Sequence, residues 1–199
     1  VMIEPYVVAL HAVERSRARY GQNAIVIGSG CIGIMTSIAL RAHGINEIFI
    51  TDVVDSRLKK ASEFGPVITI NEMNEDAIQK VLEKTDGEGV DLVFETAGNL
   101  RTQAQTVNFV RKTGMITFVG FSSGQMVEYD ISTLMRKEAN ITTVFRYANQ
   151  YRKAIRQLIK SPIELEKIVS HVYPLENLKE ALDENLRDKE NVIKAVIQI

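Results

Sequence analysis

The sequence predicts an α/β fold built on a doubly wound parallel sheet. Strand-length apolar runs alternate with helix-patterned segments, the order that produces βαβ units. Runs such as Ala24–Ile27 and Val90–Phe94 are almost continuously apolar, as strands covered on both faces must be. A glycine-rich turn joins the first of these runs to the first helical pattern after it.

Ala24–Ile27 is a short apolar strand, and Gly30 to about His43 is helical in pattern with Gly44 as its stop. A glycine just past a helix supplies the left-handed conformation that ends it. Glu47–Thr51 is the next strand. Ser56 is placed to cap a helix running to Phe64, with Gly65 beyond its end. Val67–Ile70 is a β-branched strand, and Glu75–Thr85 a surface helix whose apolar stripe is Ile78, Val81 and Leu82. Asp-Gly-Glu-Gly at 86–89 is a turn. Val90–Phe94, Met115–Val119, Val127–Ile131 and Ile141–Phe145 read as strands, and Leu100–Arg111 as a helix. Ser161-Pro162 has the form of an N-cap followed by proline at the first helical position. Glu176–Leu186 is an amphipathic helix with Leu178, Leu182 and Leu186 on one stripe. Val192–Ile199 alternates as a half-buried strand that need not join the parallel sheet.

The chain has 199 residues, 45% of them hydrophobic and 25% charged, an ordinary globular composition. A net charge of −1 without a basic stripe argues against nucleic acid. No apolar run reaches about 18 residues, and no signal peptide is visible. The single cysteine, Cys31, excludes an internal disulfide and fits a reducing cytoplasm. The chain opens on Val-Met-Ile-Glu-Pro and is helical in pattern almost at once, which reads as a cut through a longer protein.

Chemistry concentrates in Gly28-Ser29-Gly30-Cys31-Ile32-Gly33. This G-x-G-x-x-G is weak evidence alone, but here it follows a strand and opens a helix, the context a dinucleotide-binding fingerprint requires. Gly28 would allow the sharp turn, Gly30 the approach of backbone to a pyrophosphate, and Gly33 the close packing of helix on strand. Cys31 and Ile32 then sit where free amides and the helix dipole meet phosphate. The competing reading is a glycine-rich turn with no ligand. Asp52 ends the second strand, 19 residues after Gly33, where an acid binds the adenosine ribose 2′-hydroxyl. A carboxylate there repels a 2′-phosphate and favours NAD over NADP. Alternatively Asp52 caps the following helix, with Asp55 as a rival. Arg57 either lies over the adenine or pairs with Asp52, and its guanidinium leaves some room for NADP. Cys31 reads as a small residue packed beside the phosphates rather than an activated thiol. His11, His43 and His171 are scattered, and no donors stand at metal-ligand spacing; His11 lies on an apolar helix face and reads as packed.

Taken together, Glu4-Pro5, Val8-Ala9-Leu10-His11-Ala12, Gly28–Gly33, Thr51-Asp52, Glu95-Thr96-Ala97-Gly98, Gly114, Val119-Gly120 and Phe145-Arg146-Tyr147 resemble the medium-chain zinc alcohol dehydrogenases. Phe-Arg-Tyr-Ala-Asn at 145–149 and the segment His171…Pro174-Leu175-Glu176 are similar to the sorbitol (L-iditol) and xylitol dehydrogenase branch. The resemblance covers essentially the whole chain; Gly65-Pro66 departs from the usual Gly-Ala.

That resemblance implies a Rossmann domain over 21–150, a linking helix over 1–20, and a segment 151–199 that returns to a catalytic domain preceding Val1. It implies NAD contacts from Ala97, Val119 and Phe145 besides the fingerprint, Asp52 and Arg57. It implies a polyol or secondary-alcohol site lined by Arg146 and Tyr147, and a zinc that Glu4 meets directly or through water, with most zinc ligands outside this chain. For Glu4 the plainer reading is a carboxylate favoured at a helix N-terminus, and for Tyr147 an aromatic closing the sheet edge. It also implies an extra strand near Val127–Ile131 that pairs across a dimer axis, hence a homodimer or tetramer. Two other functions share the fingerprint: a regulatory nucleotide-sensing Rossmann module, and a zinc-free NADPH-dependent reductase of the same superfamily.

Overall fold

A computed structural model describes residues 1–122, 126–161, 163–188 and 190–199. Helix α1 (Ile3–Arg15) comes first, followed by β1 (Asn23–Ile27), α2 (Cys31–Ala42), β2 (Glu47–Asp52), α3 (Asp55–Ser62) and β3 (Ile68–Asn71). The second half holds α4 (Ala77–Lys84), β4 (Val90–Glu95), α5 (Leu100–Phe109), β5 (Val110–Phe118), α6 (Ile131–Lys137) and β6 (Asn140–Thr143). Then come α7 (Tyr151–Ile159), β7 (His171–Pro174), α8 (Leu178–Arg187) and β8 (Ala195–Gln198).

Six strands form one sheet in the order β3-β2-β1-β4-β5-β6, and every pair in it is parallel. This is the doubly wound sheet the sequence predicts. Its two faces are read off β1. Ala24 and Val26 join one core cluster with α1 and α2, while Ile25 and Ile27 join the other with Val81 of α4 and Phe109 of α5. Alternate side chains of a strand point to opposite faces, so a run that is apolar throughout is what a sheet covered twice demands.

Several boundaries differ from the sequence expectations, each for a physical reason. Ser56 lies inside α3 rather than capping it, and its hydroxyl donates to the Glu190 carbonyl at 2.7 Å. The helix expected to reach Arg111 stops at Phe109, because fully buried Val110 pairs with Val90 and starts β5. The expected strand Val127–Ile131 is shorter than its expected bounds, since Ile131 begins α6, and residues 127–130 pair with no other strand among the described residues of this chain. The Asp130 carboxylate accepts from the Thr133 amide at 2.8 Å and caps that helix.

The C-terminal part builds its own two-stranded sheet, in which β7 and β8 pair in parallel. The stripe Leu178, Leu182 and Leu186 of α8 stays largely exposed, and Ala181 is the buried residue of that helix. Pro162 lies outside the described residues; the Ser161 hydroxyl accepts from the Ile163 amide at 3.2 Å ahead of a short 3₁₀ turn, Leu165–Ile168. Helix α7 packs back on α1: Ala154 is buried, Tyr6 donates to Gln157 at 3.1 Å, and Glu14 pairs with Lys153.

Candidate functional site

The strand order reverses between β1 and β4, and a crevice opens beyond the carboxyl ends of the strands at such a point. The glycine turn after β1 lies there. Its three glycines are required for three different reasons. Gly28 has φ +96°, which side chains rarely adopt, and its amide donates to the Thr51 carbonyl at 2.9 Å. A Cβ on Gly33 would lie 1.9 Å from the Gly28 carbonyl oxygen, so α2 and the turn touch backbone to backbone. Gly30 is extended (φ −77°, ψ −172°), a conformation open to any residue, and a Cβ there would meet nothing within 4 Å. Only at Gly30 is the reason for glycine missing from the protein itself. It leaves room for something that approaches from outside.

No side chain caps α2. Its first amides, beginning with those of Cys31 and Ile32, lack intrahelical acceptors and carry the positive end of the helix dipole. Burial pushes the Cys31 thiol above its ordinary value, which agrees with a packed rather than an activated cysteine.

Asp52 sits across the turn. One carboxylate oxygen accepts from the Ser29 amide at 2.8 Å; the other accepts from the amides of Val53 and Val54 at 2.8 and 3.1 Å. Both readings of Asp52 therefore have a structural basis, since it faces the fingerprint and also steadies the chain entering α3. Its rival Asp55 accepts from the Asn71 side chain at 2.6 Å. A small cavity of about 80 Å³ joins Asp52 to Gly28, Glu72, Ala97 and Asn99, and Glu72 also borders a larger one of about 410 Å³. Arg57 is not paired with Asp52 among the described ion pairs. Its guanidinium donates to the Val192 carbonyl at 3.3 Å, while the Ser29 hydroxyl donates to the Arg57 carbonyl at 2.9 Å.

On the other half of the sheet, Ala97 is exposed in the turn after β4, and Val119 is half-buried just after β5. Phe145 and Arg146 are exposed beyond β6, with the guanidinium 5.6 Å from the Phe145 ring centroid and Arg146 at φ +61°. Tyr147 packs on the larger core cluster and accepts a hydrogen bond of 3.2 Å from Tyr151. That bond leads the causes that raise the Tyr151 phenol to about 12; Glu4 acts on the same phenol, and on the Cys31 thiol, through its charge. Glu4 itself is exposed in the first turn of α1, where the dipole favours it.

His11 is half-buried on α1 with Nδ1 unpartnered. Among the described residues no three His, Cys, Asp or Glu side chains gather as a metal site. The glycine cradle fits a dinucleotide. For zinc, these residues offer one exposed oxygen donor at Glu4 and do not make a centre by themselves.

One residue of the site entered the sequence reading only as part of the motif Glu95-Thr96-Ala97-Gly98, with no role assigned. Glu95, the last residue of β4, is fully buried. One of its oxygens accepts from the amides of Ala97 and Gly98, at 3.0 and 2.8 Å, and from the Thr102 hydroxyl at 2.8 Å. Burial raises its pKa above the ordinary value, against those three bonds. The available signal is a second acid, after Asp91, closing a strand whose other residues are apolar.

The family model described as "Zinc-binding dehydrogenase" matches residues 31–160. This chain belongs to the zinc-binding dehydrogenase family. The dehydrogenase match reaches specific proteins. The sorbitol dehydrogenase of Bacillus subtilis is 31% identical over 196 residues, covering 98% of this chain and 56% of that protein. A crystal structure of an Escherichia coli oxidoreductase/dehydrogenase of unknown specificity superposes with a TM-score of 0.93 at 32% identity, covering 100% of this chain and 57% of that one. An Escherichia coli alcohol dehydrogenase solved with NADH gives a TM-score of 0.90 at 25% identity, covering 98% and 57%. The chain thus spans little more than half the length of the dehydrogenases it matches. No helix among the described residues is long and apolar enough to cross a membrane.

Proposed function

We propose that this chain is the NAD(H)-binding part of a zinc-dependent dehydrogenase acting on polyols or other secondary alcohols. The observation that carries the reading is that a Cβ at Gly30 would meet no protein atom within 4 Å, between the uncapped start of α2 and the turn that Asp52 holds through the Ser29 amide. Amides of Cys31 and Ile32 would hold the diphosphate, and Asp52 the adenosine ribose, with Arg57 beside it. Ala97, Val119 and Phe145 would add further contacts to the dinucleotide, and Arg146 and Tyr147 would line the alcohol site. When bound, the nicotinamide supplies an acceptor for the hydride of a secondary carbinol; the work of this chain is to bind and orient it. Glu4 would be its one contribution to a zinc site whose other ligands lie outside residues 1–199. The relatives support the reading through their names, sorbitol dehydrogenase among them, and through the NADH held by a protein of this fold. A dimer or tetramer belongs to the same proposal and is checked by the mass in solution.

The test is calorimetric titration of the folded chain with NADH and NADPH. NADH should bind, NADPH should bind at least tenfold more weakly, and added zinc with a polyol should give no turnover by this chain alone. Absence of heat with either nucleotide overturns the reading.

A further inference from the structure

Glu95 is linked to two turns at once. Its side chain takes the amides of Ala97 and Gly98 in the turn after β4. Its main-chain carbonyl takes the amides of Val119 and Gly120 after β5, both at 2.9 Å. The turns are in contact: a Cβ on Gly120 would lie 2.3 Å from the Gly98 nitrogen and 2.7 Å from the second Glu95 oxygen, Oε2. A Cβ on Gly98 would lie 3.0 Å from the backbone nitrogen and oxygen of Phe121. Oε2 is buried and has no hydrogen-bond partner among the described residues. Burying a carboxylate with one oxygen unpaired is costly, and such costs concentrate where a site needs them.

Both turns lie at the carboxyl ends of β4 and β5. The first borders the small cavity it shares with Gly28 and Asp52, and the second lies one strand further from the fingerprint. In a doubly wound sheet each half serves one mononucleotide, so the turn after β5 faces the nicotinamide end and the turn after β4 lies between the two halves. We infer that Glu95 is a positioning residue for the nicotinamide half of the cofactor, setting the distance between the turns at Ala97–Gly98 and Val119–Gly120. It touches no reacting atom and acts through the Ala97 and Gly98 amides that its side chain holds, while its main-chain carbonyl holds those of Val119 and Gly120. The inference rests on the dinucleotide reading above.

The experiment compares NADH with ADP-ribose, which carries the adenosine and diphosphate but no nicotinamide, on the folded chain and its variants. Glu95→Met removes the acceptor and leaves two amides unmet. Affinity for NADH should fall at least tenfold, affinity for ADP-ribose should stay within threefold, and the emission shift of bound NADH should be lost. Glu95→Gln keeps an oxygen for the same bonds and should retain NADH affinity within threefold. Gly98→Ala presses the turns apart by another route and should repeat the Glu95→Met pattern, which covers the case in which Glu95→Met does not fold. The inference is overturned if Glu95→Met or Gly98→Ala folds and binds NADH as the unaltered chain does. It is also overturned if either loses both ligands equally, which is the mark of a merely structural role. An unaltered chain that binds neither ligand overturns the dinucleotide reading itself and this inference with it.

Discussion

Gly30→Ala and Gly33→Ala add the same methyl group three residues apart and should have opposite consequences. At Gly33 the methyl would sit 1.9 Å from the Gly28 carbonyl oxygen, with the Gly28 carbonyl carbon at 2.9 Å and the Thr96 hydroxyl at 3.1 Å. Ordinary contact begins near 3.4 Å, so α2 must withdraw from the turn by more than an ångström. Overpacking of that kind costs about 1–3 kcal/mol. For a domain of this size, about 2 kcal/mol lowers Tm by roughly 4–8 °C. At Gly30 the methyl meets nothing and the backbone is unstrained. Replacing glycine where alanine fits is neutral or stabilising by up to about 1 kcal/mol, through the unfolded chain. Yet that methyl occupies the approach to the α2 amides, and NADH affinity should drop at least tenfold. Differential scanning calorimetry with an NADH titration on both variants separates the two effects. A Gly30→Ala variant as destabilised as Gly33→Ala, or one that binds NADH unchanged, refutes the reasoning.

Asp52→Asn keeps one acceptor for the Ser29 amide but removes the charge, so the preference for NADH over NADPH should narrow at least tenfold in parallel titrations. Asn99→Ala removes the oxygen that caps α5 through the Thr102 amide and should cost about 1 kcal/mol in urea unfolding. Gly89→Ala should destabilise more strongly in the same assay. Its φ is +89°, and the methyl would lie 2.4 Å from the Phe109 carbonyl oxygen. Burial raises the Glu95 pKa above its ordinary 4.5; the stability this confers is therefore complete below that value and lost as pH rises through the folded pKa. Glu95→Gln should accordingly gain in Tm relative to the unaltered chain on going from pH 4 to pH 8, and a constant difference would count against the assignment.

The alternation of elements and the fingerprint are legible in sequence because each rests on local geometry. A strand covered on both faces reads as a near-continuous apolar run, and Gly28 and Gly33 are sterically obligatory. Asp52 is legible by its spacing from Gly33. Glu95 was not, since its meaning lies in amides supplied by two different turns, one of them 24 residues further on. The expected strand at Val127–Ile131 loses its last residue because Asp130 caps a helix that begins at Ile131. Strand β7 passed unnoticed because its partner is β8, and its register is set by a pairing far along the chain. Arg146 and Tyr147 entered only through resemblance; nothing in their composition announces the left-handed Arg146 or the hydrogen bond between Tyr147 and Tyr151.

The seam between α1 and α7 bears on how the polypeptide reaches this state during synthesis. Tyr6 must meet Gln157, and Glu14 must meet Lys153, across separations of 151 and 139 residues. Closing loops of that length is entropically expensive and slow. A nascent chain emerging at about 5–20 residues per second therefore gains the α2 cover of α1 early and leaves the side that α7 covers open for many seconds. In that interval Tyr6 is available to a chaperone, or to a neighbouring nascent chain, in a way the finished molecule never allows.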